Sequence, residues 1–284
     1  MECGIAHYFT LHSMRPDALG LALEERGFES LWCPEHSHMP APLPAKAASG
    51  AGYPAEYAEV MDPFIALTAA AMATNVLKLG TGICQVTQRD PIITAKQVAS
   101  LDQLSGGRFL FGVGAGWNAQ EMEHHGTRYA TRFKLMGERI EAMRAIWTQP
   151  SPEYHGEFVD FGPIKLLPKP FQKPHPPILV GGTFPHSARR AVEYGDGWMP
   201  TRTRPEYPDV TAFLPEFQRM VIAAGRNINE VPVTVWAASA NPDRLKHYRD
   251  LGIARVVFYV RAKAADELLP LLDRWAPLVI QLKS

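Results

Sequence analysis

The chain carries little of what several functional classes require. Its 284 residues hold 29 Lys plus Arg against 29 Asp plus Glu, a formal net charge of zero. A nucleic-acid binder needs a basic footprint, and a protein held on a membrane by charge needs a polybasic stretch. Neither is present. Three cysteines are too few for a disulfide framework. Cys3, Cys33 and Cys84 each fall in an apolar run, which reads as buried, reduced thiols in a cytoplasmic protein. No apolar run reaches the length of a transmembrane helix, and MECGIAHYFT lacks the basic start and apolar core of a signal peptide. Walker A and GxSxG sequences are missing. Lysines are scarce at strand ends, which disfavours a Schiff-base aldolase.

What is present is punctuation. The 25 Pro and 22 Gly residues mark a repeated pattern. Asp62-Pro63, Asp90-Pro91 and Asn241-Pro242 each pair an N-cap with a proline at the first helical position. Gly27, Gly106, Gly195, Gly225 and Gly252 each follow a last helical turn, as a C′ glycine would. A helix from Thr131 to Trp147 shows an apolar stripe of Phe133, Met136, Ile140, Met143 and Trp147. Short continuous apolar strands are expected at Cys3–Tyr8, Ser30–Pro34, Leu77–Val86, Phe109–Val113, Pro177–Val180, Gly197–Pro200, Pro232–Ala237 and Ala254–Val260. Continuous apolar strands suit a sheet covered on both faces. Eight strands alternating with helices predict an α/β fold, a TIM (β/α)8 barrel spanning residues 1–284 as a single domain. A doubly wound open sheet is the competing arrangement.

Two connections are long. Residues 37–61, rich in Pro, Ala and Gly, follow strand two and therefore belong to the C-terminal face, where barrel chemistry occurs. They are expected to form a substrate lid. Residues 150–176 precede strand five on the opposite face, and GEFVDF-GP-IKLL reads there as a small structural hairpin.

The residues just past each strand are the functional candidates: His7, Glu35, His36, His38, Gln85, Arg89, Gly114, Ala115, Gly116, Trp117, Gly181, Gly182, Thr183, Arg202, Trp236, Tyr259 and Arg261 among them. The set is polar, aromatic and glycine-rich, which suits an elongated anionic cofactor with a planar ring. The turns Gly112–Asn118 and Val180–Phe184 let backbone N–H groups approach a phosphate near a helix N-terminus. A tight strand-to-helix turn is the alternative for each. Thr183 and Ser187 offer hydroxyls there. His36 and His38 lack the further ligands of a metal hydrolase, so no metal is expected. His124-His125 reads as solvated surface. A Rossmann reductase is disfavoured because the glycine turn lies mid-chain and lacks the GxGxxG spacing.

Four blocks carry a resemblance: ERGFESLWCPEH (25–36), LKLGTGICQVTQRDPIITAKQVASLDQLSGGRFLFGVGAGWNAQEMEHHG (77–126), PKPFQKPHPPILVGG (168–182) and YGDGWMP (194–200). Together they resemble the bacterial luciferase-like monooxygenase superfamily, with GVGAGWN followed by Glu most similar to its coenzyme F420-dependent, deazaflavin branch. The resemblance implies a TIM barrel. It implies that His36 is the catalytic histidine beside the cofactor ring, and that a non-proline cis peptide at Gly82-Ile83 backs that ring. It implies cofactor contacts at Gly82, Ile83, Ala115, Gly116, Gly182 and Thr183, to which the strand-end reading adds Gly114, Gly181 and Arg202. His7, His38, Arg89 and Trp117 are expected to meet the substrate. Trp117 departs from deazaflavin enzymes that carry a glutamate there, which argues against a sugar-phosphate dehydrogenase.

The implied function is hydride transfer between coenzyme F420 and a small organic substrate. The alternatives are an FMN-dependent monooxygenase, fed reduced flavin by a separate reductase, and a non-catalytic flavin-binding homologue. A homodimer is expected from the family. The zero net charge then conceals a polarised barrel, with Arg89, Arg202, Arg204 and Arg261 forming a positive rim at the mouth.

Overall fold

The structure is a computed structural model that describes residues 1–41, 53–201 and 209–283. Among these, eight parallel strands follow chain order around a nearly closed barrel. They are β1 (Glu2–His7), β2 (Ser30–Cys33), β3 (Lys78–Thr81), β4 (Phe109–Gly114), β5 (Ile178–Gly182), β6 (Gly197–Pro200), β7 (Thr234–Trp236) and β8 (Arg255–Val260). β1 pairs with both β2 and β8, and two isolated parallel bridges, Trp198–Val233 and Thr201–Trp236, join β6 to β7. That closure excludes the doubly wound open sheet. The outer helices are α1 (Pro16–Glu25), α2 (Pro63–Ala73), α3 (Pro91–Leu104), α4 (Arg132–Thr148), α5 (His186–Tyr194), α6 (Leu214–Ala223), α7 (Pro242–Asp250) and α8 (Ala265–Lys283). No helix of the described residues is long and apolar enough to cross a membrane.

The caps act as their residue types dictate. Asp62, Asp90 and Asn241 each accept a backbone N–H of the first turn of α2, α3 and α7, with Pro at the first helical position. Gly27, Gly106, Gly225 and Gly252 take positive φ after helix ends. Gly195 does not. Its φ is −93°, and a Cβ there would come within 2.9 Å of the Ala191 carbonyl oxygen and of Val180, so close packing explains the glycine. The expected third strand is also corrected. It stops at Thr81, the Gly82-Ile83 peptide is cis, and Cys84–Gln85 then pairs with the end of β4.

Two apolar layers hold the barrel. One lies between strands and helices and includes Leu31, Phe109, Ile140, Trp147 and Phe258. The other fills the barrel interior with Ala6, Trp32, Leu110, Leu179, Met199 and Val257. Trp32 fits because its neighbours are glycines: a Cβ on Gly80 would lie 2.3 Å from its ring, and one on Gly4 2.7 Å from its Nε1. Cys3, Cys33 and Cys84 are buried free thiols. On α4 the stripe holds except at Phe133, which is exposed beneath the guanidinium groups of Arg132 and Arg190, 4.2 and 4.0 Å from its ring centre.

The 150–176 connection packs on the N-terminal face, as expected. Lys169 caps the C-terminus of α4 by donating to Ile146 and Gln149 carbonyls, and Gln172 reaches Asp102 of α3 and the Phe109 carbonyl. Its hairpin pairs Tyr154–His155 with Asp160–Phe161, so the turn lies before Gly162-Pro163 rather than at it. The cause is Glu138 of α4, whose carboxylate accepts the Phe158 N–H at 2.7 Å and the Val159 N–H at 3.1 Å.

At the same face Glu29, just before β2, accepts from Nε and Nη2 of Arg255 on β8 at 2.8 and 2.6 Å. Burial alone would raise this carboxyl. Arg255, with Ser30 and Lys78, outweighs it and holds the pKa down to about 2. A carboxylate depressed on folding stabilises fully above its unfolded pKa of about 4.3, and the contribution fades as pH falls. Glu29→Gln should therefore lose roughly 3 kcal/mol at pH 7, read by urea unfolding. The deficit should shrink as pH falls from about 4 toward 2; a deficit independent of pH would contradict this account.

Candidate active site

Three short loops meet at the C-terminal end of the barrel. Glu35 and His36 follow β2, the 84–89 segment follows β3, and Ala115–Glu121 follows β4. Two buried carboxylates organise them. Glu35 accepts the Gln85 N–H at 2.5 Å and Arg89 Nε at 2.6 Å. Arg89 continues to Asp62, the cap of α2, at 2.6 Å and to Gln97 at 3.2 Å, and lies over the Phe64 ring. Burial works against the Arg89 charge, but Glu35 and Asp62 outweigh it and raise its pKa.

The second carboxylate is Glu121, fully buried at the start of the short helix Ala119–His124. One oxygen sits 3.0 Å from His36 Nδ1, and the other accepts the Ser37 N–H at 3.0 Å. Burial alone would raise the Glu121 carboxyl; the His36 ring, the Ser37 N–H and Gln88 overcome it and leave the pKa below the ordinary carboxylate range. An ionised Glu121 only accepts, so Nδ1 of His36 carries hydrogen, assigned from its partner. Nε2 is then the nitrogen left for a ligand. The imidazole stacks on Tyr57 at 4.7 Å and meets the edge of Trp117 at 5.5 Å, and Tyr53 stacks on Trp117 in turn. Tyr8 lies 5.4 Å from Tyr57 and 5.8 Å from Tyr259. Burial raises the phenol pKa of Tyr57 and of Tyr259, so both stay protonated.

The floor of this mouth is apolar. Ile83, Trp236 and Tyr259 rest, half-buried, on the interior layer. Glycines make the fit: a Cβ on Gly82 would stand 2.1 Å from the Trp236 ring, and one on Gly114 or on Gly181 2.7 Å from the Ile83 side chain. Beside the floor, Gly116 has φ +75° and Gly182 φ +126°, conformations that favour glycine. Ser187 is not available as expected. Its hydroxyl donates to the Thr183 carbonyl and accepts from Trp198 Nε1, both at 2.9 Å.

The expected residues thus divide. Gly82, Ile83, Gly114, Ala115, Gly116, Gly181, Gly182 and Thr183 lie on adjacent strand ends, and His36 and Trp117 touch each other beside them. Arg89, expected to meet substrate, is instead committed to Glu35 and Asp62. His7, also expected there, is instead sealed in the layer between strands and helices, on the same side of β1 as Ile5 and against Phe9, and neither ring nitrogen has a hydrogen-bond partner among the described residues. Burial lowers its pKa to about 4, with the Val260 carbonyl opposing weakly. His38 pairs with His124 and with Ser37, which also meets His125, so His124-His125 is part of the mouth rim rather than isolated surface. Arg202, Arg204 and residues 42–52 of the expected lid lie outside the described residues. Residues missed in the sequence are Glu121 and Tyr57. Asn118-x-x-Glu121 has the spacing of a capping box, and Asn118 does accept the Glu121 N–H. The Glu121 carboxylate, however, turns to His36.

Such a mouth defines a class: a barrel oxidoreductase whose apolar, aromatic floor lies beside an imidazole anchored by a carboxylate. The matching family model, luciferase-like monooxygenase, covers residues 17–259, and the chain belongs to that family. An uncharacterized protein of Mycobacterium tuberculosis is 36% identical over 97% of this chain and 98% of its own. The fold resembles monooxygenase RslO1 from Streptomyces bottropensis, with TM-score 0.79 and 21% identity over 100% of both chains. It also resembles a coenzyme F420-dependent tetrahydromethanopterin reductase from Methanopyrus kandleri, with TM-score 0.64 and 23% identity over 85% of this chain and 68% of that one. F420-dependent and FMN-bound enzymes both occur among the solved neighbours.

Glu121→Gln should test the anchor. The amide can donate to Nδ1 and favour the wrong tautomer, so turnover should fall by roughly 100-fold or more while folding persists. Turnover within a few-fold of the parent would remove the anchor from the account.

Proposed function

We propose that the protein is an F420-dependent oxidoreductase that moves a hydride between the deazaflavin and a small organic substrate at the barrel mouth. The observation that carries this reading is the His36–Glu121 pair beside the Ile83, Trp236 and Tyr259 floor. The floor fits a flat ring, because Gly82, Gly114 and Gly181 keep side chains out of its edges. The glycine turns at Gly116 and Gly182, the latter just ahead of the N-terminus of α5, fit an anionic tail through backbone N–H groups. Bound there, the cofactor supplies the two-electron chemistry. The chain supplies the rest. His36 Nε2 takes a proton from an alcohol-type substrate during its oxidation, or returns one to a carbonyl in the reverse direction. Glu121 holds the ring in place and stabilises the imidazolium. Tyr57 and Trp117 wall the imidazole and exclude water from one side.

A second reading is an FMN-dependent monooxygenase supplied with reduced flavin by a separate reductase. The full-length likeness to the RslO1 fold favours it. Fluorescence quenching by F420 and by FMN separates the two. Turnover is then followed with a panel of alcohols, imines, enones, aldehydes and sulfonates. Under the leading reading F420 binds, and His36→Ala keeps that binding while losing roughly 100- to 10,000-fold in turnover. Oxygen uptake with reduced FMN would establish the second reading. Binding of neither cofactor would overturn both.

A further inference from the structure

Beside the His36–Glu121 pair lies a cluster that the proposed hydride transfer does not use. Ser37 Oγ is 2.7 Å from His125 Nε2 and 2.9 Å from His38 Nδ1. It is also 3.4 Å from Glu121 Oε1 and from Gln88 Oε1. His38 Nε2 in turn lies 2.7 Å from His124 Nδ1, with the two rings stacked at 4.9 Å and 15°. Ser37, His124 and His125 are exposed and Glu121 is buried, so the cluster joins solvent to the buried carboxylate.

Proton counting constrains it. The Ser37 hydroxyl has one hydrogen, and two of its neighbours, the Glu121 and Gln88 oxygens, only accept. At least one of His38 Nδ1 and His125 Nε2 must therefore carry hydrogen. The bond between His38 and His124 holds one proton. A second would set N–H against N–H between stacked cations. The charged groups facing the cluster are Glu121 and Glu35, which attract protons to it, and the three imidazoles, which repel one another. For His125 burial leads, His38 adds to it and the carboxylates oppose, so its pKa sits below the ordinary histidine range. The geometry does not suit a metal. The two nitrogens of His38 serve different neighbours, and no group of three ligands among the described residues converges on one point.

We propose that Ser37, His38, His124 and His125 are positioning residues for His36: a proton-sensitive clasp that ties the loop after β2 to the Ala119–His124 helix and keeps Glu121 on His36 Nδ1. This rests on the reading of His36 as the proton-exchanging group. With no more than one proton in the His38–His124 bond the clasp is closed. When acid adds a second proton from water, that bond breaks and Ser37 is released. Glu121 then loses its Ser37 partners, and the His36 tautomer is no longer fixed. The clasp adds no group to the reacting atoms; it sets the pH range in which His36 is held ready.

Histidine 15N spectra of the cofactor-free protein test this across a pH titration. In the parent, His36 should titrate in two coupled steps, one following His38 and His124. Replacing His38, His124 and His125 together by Gln should leave a single step. Ser37→Ala should uncouple His36 while the surface imidazoles still titrate. His124→Gln keeps a hydrogen-bond partner for His38 but takes no proton, so it should preserve the His36 Nδ1–H form near neutrality and lose the second step. Loss of spectral dispersion in the triple variant leaves the two single variants to decide. Identical His36 titration in the parent, Ser37→Ala and His124→Gln would overturn the clasp. Coupled titration in a protein that binds neither F420 nor FMN would overturn the functional reading and leave the clasp standing.

Discussion

The mouth of this barrel depends on how two buried carboxylates are neutralised. A carboxylate removed from water costs several kcal/mol unless its oxygens find charge and N–H groups. Glu35 finds Arg89 and the Gln85 N–H, and Arg89 carries the tie outward to the cap of α2. Glu121 has no such full cation. It relies on the His36 ring, the Ser37 N–H and Gln88, so its neutralisation is tied to an imidazole and not to a guanidinium. One carboxylate therefore builds a permanent joint between loops. The other builds a joint that responds to a proton. Both arise within the loops after β2, β3 and β4, which is why those three strand ends hold one rigid wall.

The floor follows from a different constraint. A small parallel barrel must fill its interior with side chains. Here one large residue, Trp32, takes that space because Gly4 and Gly80 give way on both flanking strands. Above it, Ile83 stands where β4 and β5 present Gly114 and Gly181, and Trp236 stands against Gly82. The same small-against-large packing that closes the barrel leaves a smooth apolar surface at its open end. The structure needs no separate device to make a ring-shaped platform.

Much of this was legible in the sequence. The eight βα units show because their signals are local: Asp-Pro and Asn-Pro caps, C′ glycines and continuous apolar strands. The strand ends show because the fold places them. What was not legible is which partner each polar group takes. Arg89 at a strand end reads the same whether it faces substrate or Glu35, and only the tertiary contact decides. Glu121 reads as a capping-box residue, since N-x-x-E specifies the turn but not where the carboxylate goes. The pairing of His38 with His124 joins residues 86 apart in sequence, with no spacing rule to announce it. Phe133 kept the apolar period of α4 while serving two guanidinium groups at the surface.

The fate of Arg89 bears on how a neutral chain would hold an anionic ligand. The expectation of an arginine rim treated Arg89, Arg202, Arg204 and Arg261 as open charges, and of these Arg202 and Arg204 lie outside the described residues. Arg89 is closed into its network, and Arg261 lies 3.7 Å from Glu56. On the proposed reading, the donors that the described residues offer a cofactor phosphate include neutral ones: the backbone amides at the Gly116 and Gly182 turns and the positive end of α5. Backbone N–H groups add no net charge, so a balanced composition is compatible with an anion site of this kind. They also cannot be titrated. The histidines of the described mouth converge on Glu121 and not on the glycine turns. Binding of the anion and readiness of His36 are thereby separated: the first depends on backbone geometry, the second on pH.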